Sequence, residues 1–253
     1  MKYLFMLSTG RTGTKKLGEV FSRLPGKRVI AEHQVAVSRK IDILANLYWS
    51  GAPVSAMLHG TIHNFIKEKR KCDLYINTDP LISCGLTERI AAQYDLYLIH
   101  LVRHPLRFAQ SFINLQFSRF KSFMAHNFIP FWQPTVRPFE HVVHRYRRDY
   151  MIDKYIGVWM LKNKFFHKTY SKNERYIPVC FERLFDPSQA PIVLNSLLER
   201  MDLLPCEIDF DFFHRKSNIS TAKYISNQYI EGYTSPILKS AVEFYEKFKS
   251  TGI

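Results

Sequence analysis

Short apolar runs alternate with amphipathic stretches along the chain. Tyr3-Leu4-Phe5-Met6-Leu7 has strand composition. Leu17, Val20, Phe21 and Leu24 follow at helical spacing, and Pro25-Gly26 stops that helix. Lys27-Arg28-Val29-Ile30-Ala31 predicts a second strand, ending at Glu32-His33-Gln34. Ile41, Leu44, Ala45 and Tyr48 give residues 38–49 an apolar helical face, which Gly51 and Pro53 break. A further helix is expected over about 54–70, ending in the charge run Lys67-Glu68-Lys69-Arg70-Lys71, which reads as a solvated end. Asp73-Leu74-Tyr75-Ile76-Asn77 is a third strand closed by Thr78-Asp79-Pro80, and residues 84–94 read as helix.

Leu96-Tyr97-Leu98-Ile99-His100-Leu101-Val102 is nearly all apolar, as a strand covered on both faces of a parallel sheet should be. Pro105 then stands at the favoured first turn of a helix. Residues 149–170 return to helix, with Tyr155, Val158, Trp159 and Leu161 as core candidates. Arg175 to Phe181 is a late strand, and Pro178, which has no N–H to donate, puts it at a sheet edge. Helices are expected at about 188–202 and 235–249. The alternation predicts a single α/β domain over residues 1–253, with a central, mainly parallel sheet flanked by helices.

Between the first strand and the first helix lies Ser8-Thr9-Gly10-Arg11-Thr12-Gly13-Thr14-Lys15-Lys16. Backbone N–H groups at such a turn face outward, and the helix start is partly positive. Gly10 and Gly13 leave room for an anion to approach the backbone, Thr12 and Thr14 add hydroxyls, and Arg11, Lys15 and Lys16 add charge. The stretch reads as a phosphate-type anion cradle. It is not a nucleotide triphosphatase loop of the form G-x-x-x-x-G-K-[ST], because the glycines are too close and Thr14 stands where lysine is needed.

Composition narrows the partners. Lys+Arg number 36 against 22 Asp+Glu, a formal net charge of +14, and hydrophobic residues make up 46%. The charge favours polyanionic partners: nucleic acid, an acidic surface, an acidic polysaccharide or a highly phosphorylated cofactor. Cys72, Cys84, Cys180 and Cys206 form no C-x-x-C pair or zinc spacing and read as reduced thiols of a cytoplasmic protein. No secretory signal is visible, and no apolar run approaches the roughly 18 residues of a membrane span. The segment 119–148 carries Arg119, Lys121, Arg137, Arg145, Arg147 and Arg148 against one acid, Glu140, together with many aromatic residues. It is expected to wall the acceptor side of a site. His126, His141 and His144 have no accompanying carboxylates, so no metal is expected.

At the end of the most apolar strand stands Arg103-His104-Pro105, with Ser111 eight residues after Arg103. Ligands of open α/β sheets sit beyond the carboxyl ends of the strands. A guanidinium and a hydroxyl converging there would bind a phosphate. Together, the glycine loop and this strand–Arg-x-Pro–Ser arrangement resemble the two phosphate motifs of the PAPS-dependent sulfotransferases. The loop is closest to that of bacterial and Golgi-type carbohydrate sulfotransferases. Ile177 to Pro187 is similar to a segment late in many such enzymes, so the resemblance runs from about residue 3 to about residue 203.

The resemblance implies a P-loop sulfotransferase-like fold and 3′-phosphoadenosine 5′-phosphosulfate (PAPS) as donor. The product would be 3′,5′-ADP, and no metal is required. It assigns Gly10, Arg11, Thr12, Gly13, Thr14 and Lys15 to the 5′-phosphosulfate, and Arg103 and Ser111 to the 3′-phosphate. Arg215 and Lys216 echo a further basic loop of the family, although Ser217 follows where the family has glycine. Arg11 and Lys15 would stabilise the leaving group, and His33 or Glu32, after the second strand, would be the base. Many cytosolic members of the family have lysine at the position of Arg11. The implied partner is a hydroxyl-bearing acceptor, a small molecule or an acidic or complex glycan, with neither nucleic acid nor a membrane span expected. Two other readings stay open: an ATP-dependent P-loop kinase, with Asp79 as metal carboxylate, and a non-enzymatic polyanion or nucleic-acid binding module.

Overall fold

β1 (Lys2–Leu7) sits at the centre of a five-stranded sheet with β2 (Val29–Glu32), β3 (Leu74–Asn77), β4 (Tyr97–Val102) and β5 (Tyr176–Cys180). The order is β2-β3-β1-β4-β5, and every pairing is parallel. The structure, a computed structural model, describes residues 2–10, 12–25, 27–33, 35–49, 51–69, 72–117, 148–203 and 224–253. Arg11, Arg215, Lys216, and residues 119–147 of the basic aromatic segment, with their three histidines, lie outside the described residues.

The helices α1 (Thr14–Phe21), α2 (Ser38–Trp49), α3 (Ser55–Lys67), α4 (Pro80–Ser83), α5 (Glu88–Tyr94) and α6 (Pro105–Phe117) alternate with the first four strands. After them come α7 (Arg148–Tyr170), α8 (Phe181–Leu184), α9 (Ala190–Arg200), α10 (Asn227–Glu231) and α11 (Pro236–Thr251). Side-chain alternation along β1 explains why that strand is apolar throughout. Tyr3, Phe5 and Leu7 pack with α2, α3 and α5 on one face, while Leu4 and Met6 pack with α1 and α9 on the other. A third cluster joins α6, α7 and α11 around the fully buried Trp159.

The expected elements are present, with four differences. The helix read over residues 84–94 begins only at α5, a separate short helix α4 precedes it at Pro80–Ser83, and Gly85 between them is packed against α2 and α3. A Cβ there would lie 2.5 Å from Ile41 Cγ2. The short helices α8 and α10 lack the length for a periodic signal. On α7, Tyr155, Val158 and Trp159 are buried, but Leu161 is only half-buried and the polar Lys162 and Asn163 are buried beside it. Finally, β5 is an edge strand, and the chain itself covers that edge. Cys180 N donates to Ile253 O at 3.2 Å and Ile253 N donates to Pro178 O at 3.1 Å, on the side where Pro178 has no N–H to offer.

Candidate active site

The parallel sheet brings the end of every strand to one edge. Leu7 is in register with His100, Phe5 with Asn77, Glu32 with Asn77, and Val102 with Cys180. The residues just beyond those ends therefore line up: His33 after β2, Thr78 and Asp79 after β3, the glycine loop after β1, Arg103 and His104 after β4, and Phe181 and Glu182 after β5. The chain leaves β1 for one half of the sheet and β4 lies in the other, so the loop and Arg103 flank the switch point where such folds bind ligands.

The loop is stitched from within. Ser8 Oγ accepts from Gly10 N at 2.8 Å and lies 2.6 Å from Thr12 Oγ1. Gly10 and Gly13 have φ of 84° and 74°, which a side chain would make costly. Gly13 also touches α8: an added Cβ would stand 2.4 Å from Phe185 Cζ and 3.3 Å from Phe181 Cε2. Gly13 begins α1 with no side-chain cap, so the first N–H groups of the helix are left to a ligand. Thr9 Oγ1 is buried in the loop and meets no hydrogen-bond partner among the described residues. Thr12 and Thr14 are buried, and Lys15 is exposed at the mouth.

Across β4, the guanidinium of Arg103 stacks on Phe181 at 4.6 Å, and Phe181 packs on Phe185 with ring centres 4.5 Å apart. The same aromatic pair thus touches the glycine loop and the arginine. The backbone here is fixed by Trp159 Nε1 donating to Arg103 O at 2.9 Å. Glu182 accepts from His104 N at 2.9 Å with one oxygen and from Tyr245 O–H at 2.6 Å with the other. Ser111 lies partly exposed about two turns along α6. Phe181 and Glu182 belong to the Ile177–Pro187 segment, whose resemblance was visible in the sequence, but their contacts to Arg103 and His104 cross between strands and are not.

On the other side of β1, His33 and Glu32 part company. Glu32 Oε1 is ion-paired with Lys69 Nζ at 2.7 Å and Oε2 accepts from Tyr75 O–H at 2.6 Å, so both oxygens are committed within the fold. His33 is half-buried with Nδ1 3.0 Å from Thr78 Oγ1. Burial holds its pKa below the usual 6.5; the charges of Asp79 and Glu19 and the Thr78 backbone oppose this, and Lys15 adds to it. Lys15 and His33 are thus in each other's field. Asp79 caps α4 by accepting from Leu81 N at 2.9 Å and takes a second bond from Ser38 Oγ. Each of its oxygens thus has a structural duty within the fold.

No family model and no curated protein matches this sequence. Solved structures do. The mouse sulfotransferase SULT7A1 complexed with PAP is similar with a TM-score of 0.51 at 12% identity, over 99% of this chain and 85% of that one. The sulfotransferase domain from the curacin biosynthetic pathway has a TM-score of 0.47 at 11% identity, over 97% of each chain. The likeness to the mouse protein shows that this chain has the sulfotransferase fold.

Proposed function

We propose that this chain, folded as a sulfotransferase, is a cytoplasmic enzyme that moves a sulfuryl group from PAPS to a hydroxyl of a carbohydrate or small-molecule acceptor. One observation carries the reading. The glycine loop and Arg103 stand at the ends of the adjacent strands β1 and β4, and an imidazole stands two strands from β1 at the same edge. The residues present fit the donor: a loop with uncapped helix N–H groups, the buried Thr9 hydroxyl, and basic residues on both sides of the switch point.

When bound, PAPS supplies the sulfur electrophile and the phosphate on which the cleaved S–O electron pair ends. The loop amides, Thr12, Thr14, Arg11 and Lys15 hold the 5′ end and offset the charge that develops there. Arg103 and Ser111, with Arg215 and Lys216, hold the 3′-phosphate. His33 Nε2 takes the acceptor's proton as the new O–S bond forms. Glu32 buttresses β2 and β3 in place of serving as base. The basic segment 119–148 gives the acceptor an entrance suited to an acidic or complex glycan.

Thermal-shift measurements with 3′,5′-ADP, 5′-ADP and ATP–Mg²⁺ test the reading. A ligand at about 100 times its Kd adds about 2.7 kcal/mol of stability. Stabilisation by 3′,5′-ADP, weaker with 5′-ADP and absent with ATP–Mg²⁺, is expected. Stabilisation by ATP–Mg²⁺ alone would transfer the assignment to a kinase.

A further inference from the structure

We propose that Thr78 is a positioning residue that fixes His33 in the tautomer protonated on Nδ1, leaving the Nε2 lone pair for the acceptor hydroxyl. The proposal rests on the reading of His33 as base and deepens it. It follows from counting protons. Thr78 Oγ1 lies 3.1 Å from Glu32 O and 3.0 Å from His33 Nδ1. A carbonyl only accepts, and with the single hydroxyl proton given to Glu32 O both contacts of Oγ1 can be hydrogen bonds at once; given to Nδ1 instead, it would leave the Glu32 O contact without a proton. The hydroxyl then has only lone pairs to offer His33, and Nδ1 must supply the proton of that second bond. A neutral imidazole with its proton on Nδ1 has none on Nε2.

The hydroxyl oxygen is held in this position by the rest of the threonine. Thr78 is buried, and its methyl is seated against α1, where a Cβ on Gly18 would come within 2.6 Å of Thr78 Cγ2. Its own N–H donates to the same Glu32 O at 2.9 Å. The following residue, Asp79, is tied down by Leu81 N and Ser38. A β-branched side chain wedged by its methyl is restricted in χ1, so the fold keeps Oγ1 between Glu32 O and His33 Nδ1. Gly18 of α1 thereby has a role at the base through Thr78. The charged groups that bear on the ring are Asp79, Glu19 and Lys15.

The test is ¹⁵N NMR of histidine-labelled protein above pH 7, with steady-state kinetics alongside. Wild-type His33 should be protonated on Nδ1. Thr78→Val keeps the shape and removes the hydroxyl. It should move the population toward Nε2–H and lower kcat about 10–100-fold, by analogy with the loss of an orienting partner of a metal-ligating histidine. Stabilisation by 3′,5′-ADP should be unchanged, showing an intact fold and donor site. Thr78→Ser retains the hydroxyl and should recover most of the Nδ1–H form and of kcat. Wild-type His33 found as Nε2–H, or Nδ1–H retained in Thr78→Val, overturns the assignment. The expected tautomers with full kcat in Thr78→Val overturn the positioning role. The NMR result stands apart from the donor reading: loss of all 3′,5′-ADP binding in wild type would sink that reading and leave the tautomer assignment to be judged on its own spectra.

Discussion

The guanidinium carbon of Arg103 lies 4.6 Å from the centre of the Phe181 ring. The contact joins the residue after β4 to the residue after β5 and orders a long side chain before any anion arrives. Such stacking contributes about 0.5–1 kcal/mol at partly exposed sites and reduces the entropy lost on binding. Arg103→Ala should weaken 3′,5′-ADP by about 2–3 kcal/mol, the size of a lost charge-assisted contact, and barely affect 5′-ADP. Phe181→Leu should weaken 3′,5′-ADP in the same direction by less. Calorimetric titration of both nucleotides decides; equal losses for both in Arg103→Ala would remove Arg103 from the 3′-phosphate.

His33→Ala should lower kcat by about 10²–10⁴-fold, the usual contribution of a positioned base, with 3′,5′-ADP affinity nearly unchanged. The imidazole works only while neutral, and burial lowers its pKa below 6.5. Activity is therefore lost as pH falls through that lowered value, and the acid limb of kcat/KM should lie below pH 6.5. Asp79 opposes the lowering, so Asp79→Asn, which retains a capping oxygen, should move the limb to still lower pH. A limb that stays in place in His33→Ala belongs to another group. Glu32→Gln should cost stability through Lys69 and Tyr75 more than it costs kcat.

Two glycines should answer oppositely to alanine. Gly13 has φ 74° and a Cβ there would stand 2.4 Å from Phe185. Gly13→Ala should destabilise the fold by about 1–3 kcal/mol, the cost of a strained backbone position, and weaken 3′,5′-ADP as the loop shifts. Gly60 is inside α3 with nothing within 4 Å of an added Cβ. Gly60→Ala should stabilise by about 0.5–1 kcal/mol without affecting the nucleotide. Urea unfolding of both variants checks the pair.

His100 is fully buried on β4 between Tyr176 O–H, 2.6 Å from Nδ1, and Asn163 Oδ1, 2.9 Å from Nε2. Burial lowers its pKa to about 3. An unfolded histidine near 6.5 binds a proton that the folded one refuses, so this group's contribution is full above pH 6.5 and is lost progressively as pH falls toward 3. Asp42, raised to about 6 by burial, acts in the opposite sense over a smaller interval, from about 6 down to 3.8. The net expectation is a stability that declines below pH 6.5. His100→Gln should be less stable at pH 7 and show a shallower decline. An unchanged slope in unfolding free energy between pH 6.5 and 4 would show that His100 is not the group responsible.

Much of the site was legible because it is local. The strand–loop–helix around Gly10 and Gly13, and the spacing from Arg103 to Ser111, lie within single stretches of sequence. The strand order is not local, and it alone places Thr78 beside His33 and Phe181 beside Arg103. The pairing of Glu32 with Lys69 and Tyr75 was not legible either, because no spacing connects those residues to it. Helical periodicity likewise assigned Leu161 to the core of α7. It could not anticipate that His100 on β4 draws Asn163 inward, because a polar residue goes inside only where a partner from another element meets it.

Of the five strands of the sheet, β1 comes first in the chain and lies in the middle of the finished order. Its neighbours arrive late: Leu7 pairs with His100, about ninety residues further on. At translation rates of about 5–20 residues per second, the nascent chain carries this apolar segment without its β4 partner for about 5–20 seconds, and without its nearer partner β3 for most of that time. Parallel pairing across such separations is also slow to form. The arrangement that centres the glycine loop in the sheet therefore leaves a sticky segment in need of protection on the ribosome. Newly made protein should depend on chaperones that shield extended apolar segments, and a chain released before β4 has emerged should aggregate.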